Sequence, residues 1–269
     1  CFRKVTWTTR ATERHPKHRN SSQRNNTGPI HGGALVSKGS SALGKEFRIG
    51  GFVNEPEVPF SHTTFVSMIA TENNTTIDFS DIPTGTLLPS GVVIPQSVIL
   101  NEGESYIIAL GGNEDPRNLI GKLIKSDKPI VVNSGSASGS FADNPPAGGT
   151  TQDYGFDQIV GADQIGNEYI LVRGNGTNQT ENVLIIAHFD NTEISINGSV
   201  FTTINKGQYY VAEGNFFSSQ GNMYVKTSKD VFVYQGIGGT NSILALCSLK
   251  IGKYTFWSWF IPTKCAQRL

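Results

Sequence analysis

Apolar residues in this chain come in short runs, closed on both sides by Gly, Asn, Asp, Ser and Thr, and that rhythm predicts strands. "TFVSMIAT" and "VLIIAHF" are too short for stable helices and suit strands buried on both faces. "ISINGSVFTTI" breaks at Asn197-Gly198, a strong hairpin signal. "NEGESYIIAL" and "NKGQYYVAEG" each place Gly just before a strand that opens on an aromatic. "LIKSDKPIVV" predicts two short strands across a polar turn, with Pro129 where it cannot interrupt a central ladder. No stretch combines a 3.6-residue period with helix caps.

The pattern occurs twice. "LGKEFRIGGF" (Leu43 to Phe52) matches "IGNEYILVRG" (Ile165 to Gly174) at an offset of 122, and "FVSMIATENNTTIDFSD" matches "NVLIIAHFDNTEISING" at 117. "VILNEGESYIIALGG" matches "TTINKGQYYVAEGNF" at 104, and "KSDKPIVVNSGSASG" matches "KTSKDVFVYQGIGGT" at 101. The offset changes between blocks and never inside one, as loop deletions in a duplicated fold require, because a one-residue slip would turn a strand inside out. The expected fold is all-β: two tandem, sequence-related antiparallel sandwich-like units of about six or seven strands and roughly 90 residues each. A propeller-like arrangement of small sheets is the alternative.

Composition fits short strands joined by turns, with 30 Gly, two Met and three Cys among 269 residues. The zero formal charge hides a split. Residues 1–40 hold eight Lys or Arg and one acid, residues 245–269 hold four and none, and the middle carries a net of −11. All three Trp and all three Cys (Cys1, Cys247, Cys265) lie in the two ends. Residues 1–41 are therefore read as a basic flank, disordered or non-native, and 241–269 as an atypical C-terminal flank, truncated or misread. Between them the reading gives a first β repeat at 42–140, an Asp/Gly-rich linker at 141–163 and a second repeat at 164–240. No apolar run is long enough for a membrane span, and an acidic body with little aromatic and basic interleaving does not fit a nucleic-acid binder.

Candidate chemistry is sparse. Gly135-Ser136-Ala137-Ser138-Gly139 matches the nucleophile-elbow spacing, which works only at a strand-to-helix turn backed by His and an acid, and neither is in place. His62 and His188 are the histidines of the body, and His188 stands where the first repeat has Thr71. Glu46 and Glu168 occupy equivalent positions, which suits a structural role. The linker gathers oxygen ligands, and Asp143, Asp153, Asp157 and Asp163 are candidate Ca²⁺ ligands there, with a plain polar linker as the alternative. No catalytic residue and no other cofactor is assigned.

"GKEFRIGGF", "SMIATENNTTIDF", "LNEGESYIIAL", "GKLIKSDKPIVVNSGS", "DYGFDQIVGADQIGNEYI" and "VKTSKDVFVYQGIGG" together resemble the N-terminal domain of the IgGFc-binding protein and its bacterial relatives on secreted or surface proteins. The resemblance spans about residues 42–240 and implies a noncatalytic extracellular binding or adhesion module within a larger protein, with a protein or glycan partner. Fc binding itself is not carried over. A second reading is a carbohydrate-binding or carbohydrate-active sandwich, which requires a flat aromatic platform from residues such as Tyr106, Tyr154, Tyr209 or Phe216.

Overall fold

A computed structural model describes residues 20–24, 32–53, 60–139, 153–238 and 244–248. Among them there is no α-helix, and the strands form a hairpin and two sheets of seven strands each. The hairpin pairs β1 (Asn20–Arg24) with β2 (Gly32–Val36).

The first sheet holds β3 (Gly44–Arg48), β4 (Phe60–Ala70), β5 (Thr75–Asp78), β6 (Ser97–Leu100), β7 (Ser105–Gly112), β8 (Leu123–Gly139) and β9 (Asp153–Ile159). Its order is β6-β5-β8-β4-β7, with β3 and β9 also paired to β8. The second holds β10 (Gly166–Val172), β11 (Val183–Ala187), β12 (Thr192–Ile196), β13 (Ser199–Ile204), β14 (Tyr209–Ala212), β15 (Asn222–Gly238) and β16 (Leu244–Ser248). Its order, β13-β12-β15-β11-β14 with β10 and β16 on β15, repeats the first strand for strand. β9 lies in the segment read from sequence as linker, and β16 in the C-terminal flank.

The 17-residue strands β8 and β15 make each sheet curl. The start of β8 pairs with β3 and β5, and its far half pairs with β4 and β9. "LIKSDKPIVV" is therefore one bent strand and not the strand-turn-strand expected from its polar centre. A hairpin would need its two halves to pair with each other, whereas here each half finds other partners. The bend sits at Ser126–Pro129, where the ladder with β3 slips between Gly44 and Glu46. The second repeat slips at the equivalent place, between Gly166 and Glu168.

Side chains hold the bend the same way twice. The Ser126 hydroxyl donates to the Lys128 carbonyl at 2.6 Å, and the Thr227 hydroxyl to that of Lys229 at 2.7 Å. Asp127 Oδ1 accepts from the Thr76 N–H at 2.8 Å, and Ser228 Oγ from that of Glu193 at 2.9 Å. Asn74 and Asn191 take left-handed turns at φ 54° and 52°, each N–H donating to the side-chain oxygen of an equivalent Asn, Asn101 or Asn205. Short polar side chains tolerate this conformation. The "KSDK" and "KTSK" lysines thus flank a strand bend that ties the neighbouring hairpin.

Inward positions also repeat. Val66, Met68 and Ala70 of β4 line the first core, as Val183, Ile185 and Ala187 of β11 line the second. The outward positions differ. Phe65, Ser67 and Ile69 are half-buried, while Leu184 and Ile186 are fully buried, so only β11 is covered on both faces. The cover is the first repeat: Leu184, Ile186, Phe232 and Tyr234 join the first-repeat core, making one continuous apolar interior across both repeats. A β-carbon at Gly50 would stand 2.5 Å from the Tyr234 ring, so the absence of a side chain at Gly50 lets that ring lie on the backbone.

Candidate functional site

Where the second sheet lies over the first, a polar cleft of about 640 Å³ opens between the repeats. The first repeat contributes Glu46 and Arg48 from β3, Asp78 from β5, Asp81 just beyond it and Lys125 from β8. The second contributes His188, Phe189 and Asp190 from the turn after β11, and Lys206 from the turn before β14. Alternation along the strands explains the set. Glu46 and Arg48 share the outward face of β3, and His188 follows Leu184 and Ile186 on the face of β11 that meets it.

His188 joins the repeats through its Nε2, which lies 3.4 Å from Glu46 Oε2, while Lys125 Nζ lies 3.4 Å from Glu46 Oε1. Burial, aided by the positive charge of Arg48, lowers the imidazole pKa, and Glu46 opposes this only in part. The ring is then neutral at neutral pH, with the Nε2 proton donated to Glu46. Nδ1 is buried with no hydrogen-bond partner among the described residues, and Phe189 and Phe232 present their rings edge-to-face to the imidazole. A bare acceptor lone pair in apolar surroundings costs less than a buried cation.

Arg48 is 3% exposed. Its Nη1 donates to the Gly121 carbonyl at 2.7 Å and lies 3.4 Å from Asp81 Oδ2. Burial lowers its pKa, against the pull of Asp81, and a guanidinium stays charged even so. Asp81 Oδ2 also accepts from the Leu123 N–H at 2.7 Å, Asp190 Oδ1 from the Lys206 N–H at 3.1 Å, and Asp78 Oδ1 from the Ser80 N–H at 2.7 Å. The Ser80 bonds hold the Asp78 carboxyl below the usual range, which is opposite to what a general acid needs.

The residues proposed from sequence for Ca²⁺ lie elsewhere. Asp143 falls outside the described residues. Asp153 opens β9 opposite Gly139. Asp157 is buried on β9 and ion-paired with Lys38, and Asp163 is exposed on the following 3-10 turn, where its Oδ2 accepts from Gln164 Nε2 at 3.0 Å. Among the described residues no group of three or more His, Cys, Asp or Glu is placed to hold a metal ion. The aromatics considered for a sugar platform are dispersed. Tyr106 stacks on Phe79 with ring centres 5.8 Å apart, Tyr209 packs into the inter-repeat core, Tyr154 is half-buried on β9, and Phe216 meets Phe201 edge-on at 4.7 Å.

A profile for the family described as IgGFc binding protein matches residues 32–266. The chain belongs to this family. The match extends beyond the 42–240 span of the sequence resemblance and takes in part of each flank that composition had set apart. Among curated proteins, none matches. The IgGFc-binding family is a family of binding domains, and the fold of this chain is all-β, with the same strand order in both sheets. Among the described residues no helix is long and apolar enough to cross a membrane. The cleft was not legible beforehand, because its two walls come from different repeats. The one signal was His188 at the position of Thr71.

Proposed function

We propose that the chain is a noncatalytic, extracellular binding and adhesion module of a larger cell-surface or secreted protein, with a protein ligand. The observation that carries this reading is the use made of the cleft's ionisable groups. His188 of the second repeat braces against Glu46 of the first, which Lys125 also holds, Arg48 and Asp81 tie β3 to the loop around Gly121, and Nδ1 of His188 is buried. Acid–base groups engaged in this way stabilise an arrangement of two sheets. They do not present a reacting centre to a substrate. Family membership supports the same reading.

The test applies the full chain to immobilised surface and mucus proteins, with immunoglobulin Fc as one arm because the family description names it, and in parallel to a glycan array. Saturable binding to a protein ligand is the expected result. Binding confined to glycans would replace the ligand class, and turnover of chromogenic glycosides that Glu46→Gln abolishes would overturn the noncatalytic reading.

A further inference from the structure

β9 and β16, which hold equivalent places in the two sheets, lie against each other, but the contact made by β3 joins unlike faces. The outward face of β3 and the segment after it in the first repeat, carrying Glu46, Arg48 and Gly50, is covered by the outward face of β11, the turn after it and β15 in the second, carrying Ile186, His188 and Tyr234. Because the repeats have the same fold, such a contact leaves one copy of each face without a partner among the described residues. A heterologous interface of this kind can propagate from molecule to molecule.

Both unpartnered faces carry exposed aliphatic side chains. On β10 the equivalents of Glu46, Arg48 and Gly50 are Glu168, Ile170 and Val172, and Ile170 and Val172 are 70% and 58% exposed. On the first repeat, Ile69, Thr71 and Asn133 replace Ile186, His188 and Tyr234, and Ile107, equivalent to Val211 of β14, is 58% exposed beside them. The sizes change in step. Inside the molecule a large Tyr234 lies on Gly50, whereas at the free ends a small Asn133 would meet Val172. Polarity changes as well: buried Arg48, which lines the cleft with His188, has Ile170 as its counterpart, and His188 has Thr71. The Glu46–Lys125 pair at the inner contact has its counterpart in Glu168–Lys226, 3.2 Å apart on the open face.

We propose that the open β10 face of one molecule receives the open β4–β7 face of a second copy of this chain, repeating the internal contact and giving head-to-tail association. Sedimentation velocity over a concentration series of the full chain, at near-physiological salt to screen the acidic body, tests it. The weight-average mass should rise toward at least twice that of the monomer as concentration increases. Ile170→Asp and Ile107→Asp should each remain monomeric, and their equimolar mixture should form a 1:1 dimer and stop there, since each retains the face the other lacks. Both side chains are mostly exposed, so far-UV circular dichroism should match the unmodified chain, and Val172→Asp replaces Ile170→Asp if it does not. A chain that stays monomeric into the millimolar range overturns the proposal. So does a mixture that fails to dimerise, or single variants that associate as the unmodified chain does.

Discussion

The phenol of Tyr234 donates a 2.6 Å hydrogen bond to the backbone carbonyl of Arg48, fastening the second repeat to the first across 186 residues of sequence. Its ring lies over Gly50, whose N–H donates to the Ser134 hydroxyl at 3.0 Å. Tyr234→Phe keeps the ring and leaves a buried carbonyl unpaired, which should cost about 1–3 kcal/mol. Urea unfolding should show a lower midpoint at unchanged slope.

Burial raises the pKa of the Tyr234 hydroxyl, and of Tyr169, which donates to the Val231 carbonyl, above the ordinary value of 10. The unfolded chain releases these protons at lower pH than the folded one. Stability is therefore full below about pH 10 and declines above it. The double variant Tyr169→Phe, Tyr234→Phe should lose less stability between neutral and strongly alkaline pH than the unmodified chain, measured by denaturant midpoints at each pH.

His188 has the opposite sign. Its folded pKa lies below 6.5, so the unfolded chain gains its proton first as pH falls. Stability is full above about 6.5 and declines below it until the folded ring also titrates. His188→Gln retains an N–H for Glu46 and cannot charge. It should flatten the thermal-unfolding midpoint between pH 7 and pH 5 relative to the unmodified chain.

Gly121 and Gly103 separate backbone strain from close approach. Both have positive φ, 82° and 77°, but a β-carbon at Gly121 would stand 2.0 Å from the Gly207 carbonyl oxygen, whereas at Gly103 it meets nothing within 4 Å. Gly103→Ala should cost about 1–2 kcal/mol, the price of the left-handed conformation alone. Gly121→Ala adds overpacking of about 1–3 kcal/mol or more at the inter-repeat contact. The difference between the two midpoints measures how tightly the repeats are held.

The sequence was sufficient for everything governed by local period and by comparison of the chain with itself. The apolar runs "TFVSMIAT" and "VLIIAHF" were legible as strands, although the covering expected on both faces is found for β11 and not for β4, whose outward residues Phe65, Ser67 and Ile69 are half-buried. The constant offset within each block identified the repeat, and the all-β class followed from short apolar runs without helical period. Pairing partners were less accessible. The polar centre of "KSDKPIVV" looks like a turn because Ser, Asp, Lys and Pro favour turns, yet neighbouring strands on both sides keep it as one bent strand. Residues 153–159 read as linker because their periodicity is obscured by Gly155, Asp157 and Gln158, which the sheet accommodates as close contacts and an ion pair with Lys38.

Which faces meet was decided by tertiary structure alone. Leu184 and Ile186 are as apolar as any strand residues, and nothing local shows that their outward partner is a segment more than a hundred residues away. The cleft of Glu46, Arg48 and His188 exists only because the second sheet lies against that segment. Local pattern specifies each repeat, since each strand's period records which side is dry. The relation between repeats depends on the fit of two surfaces distant in sequence, seen in a tyrosine ring resting on a glycine.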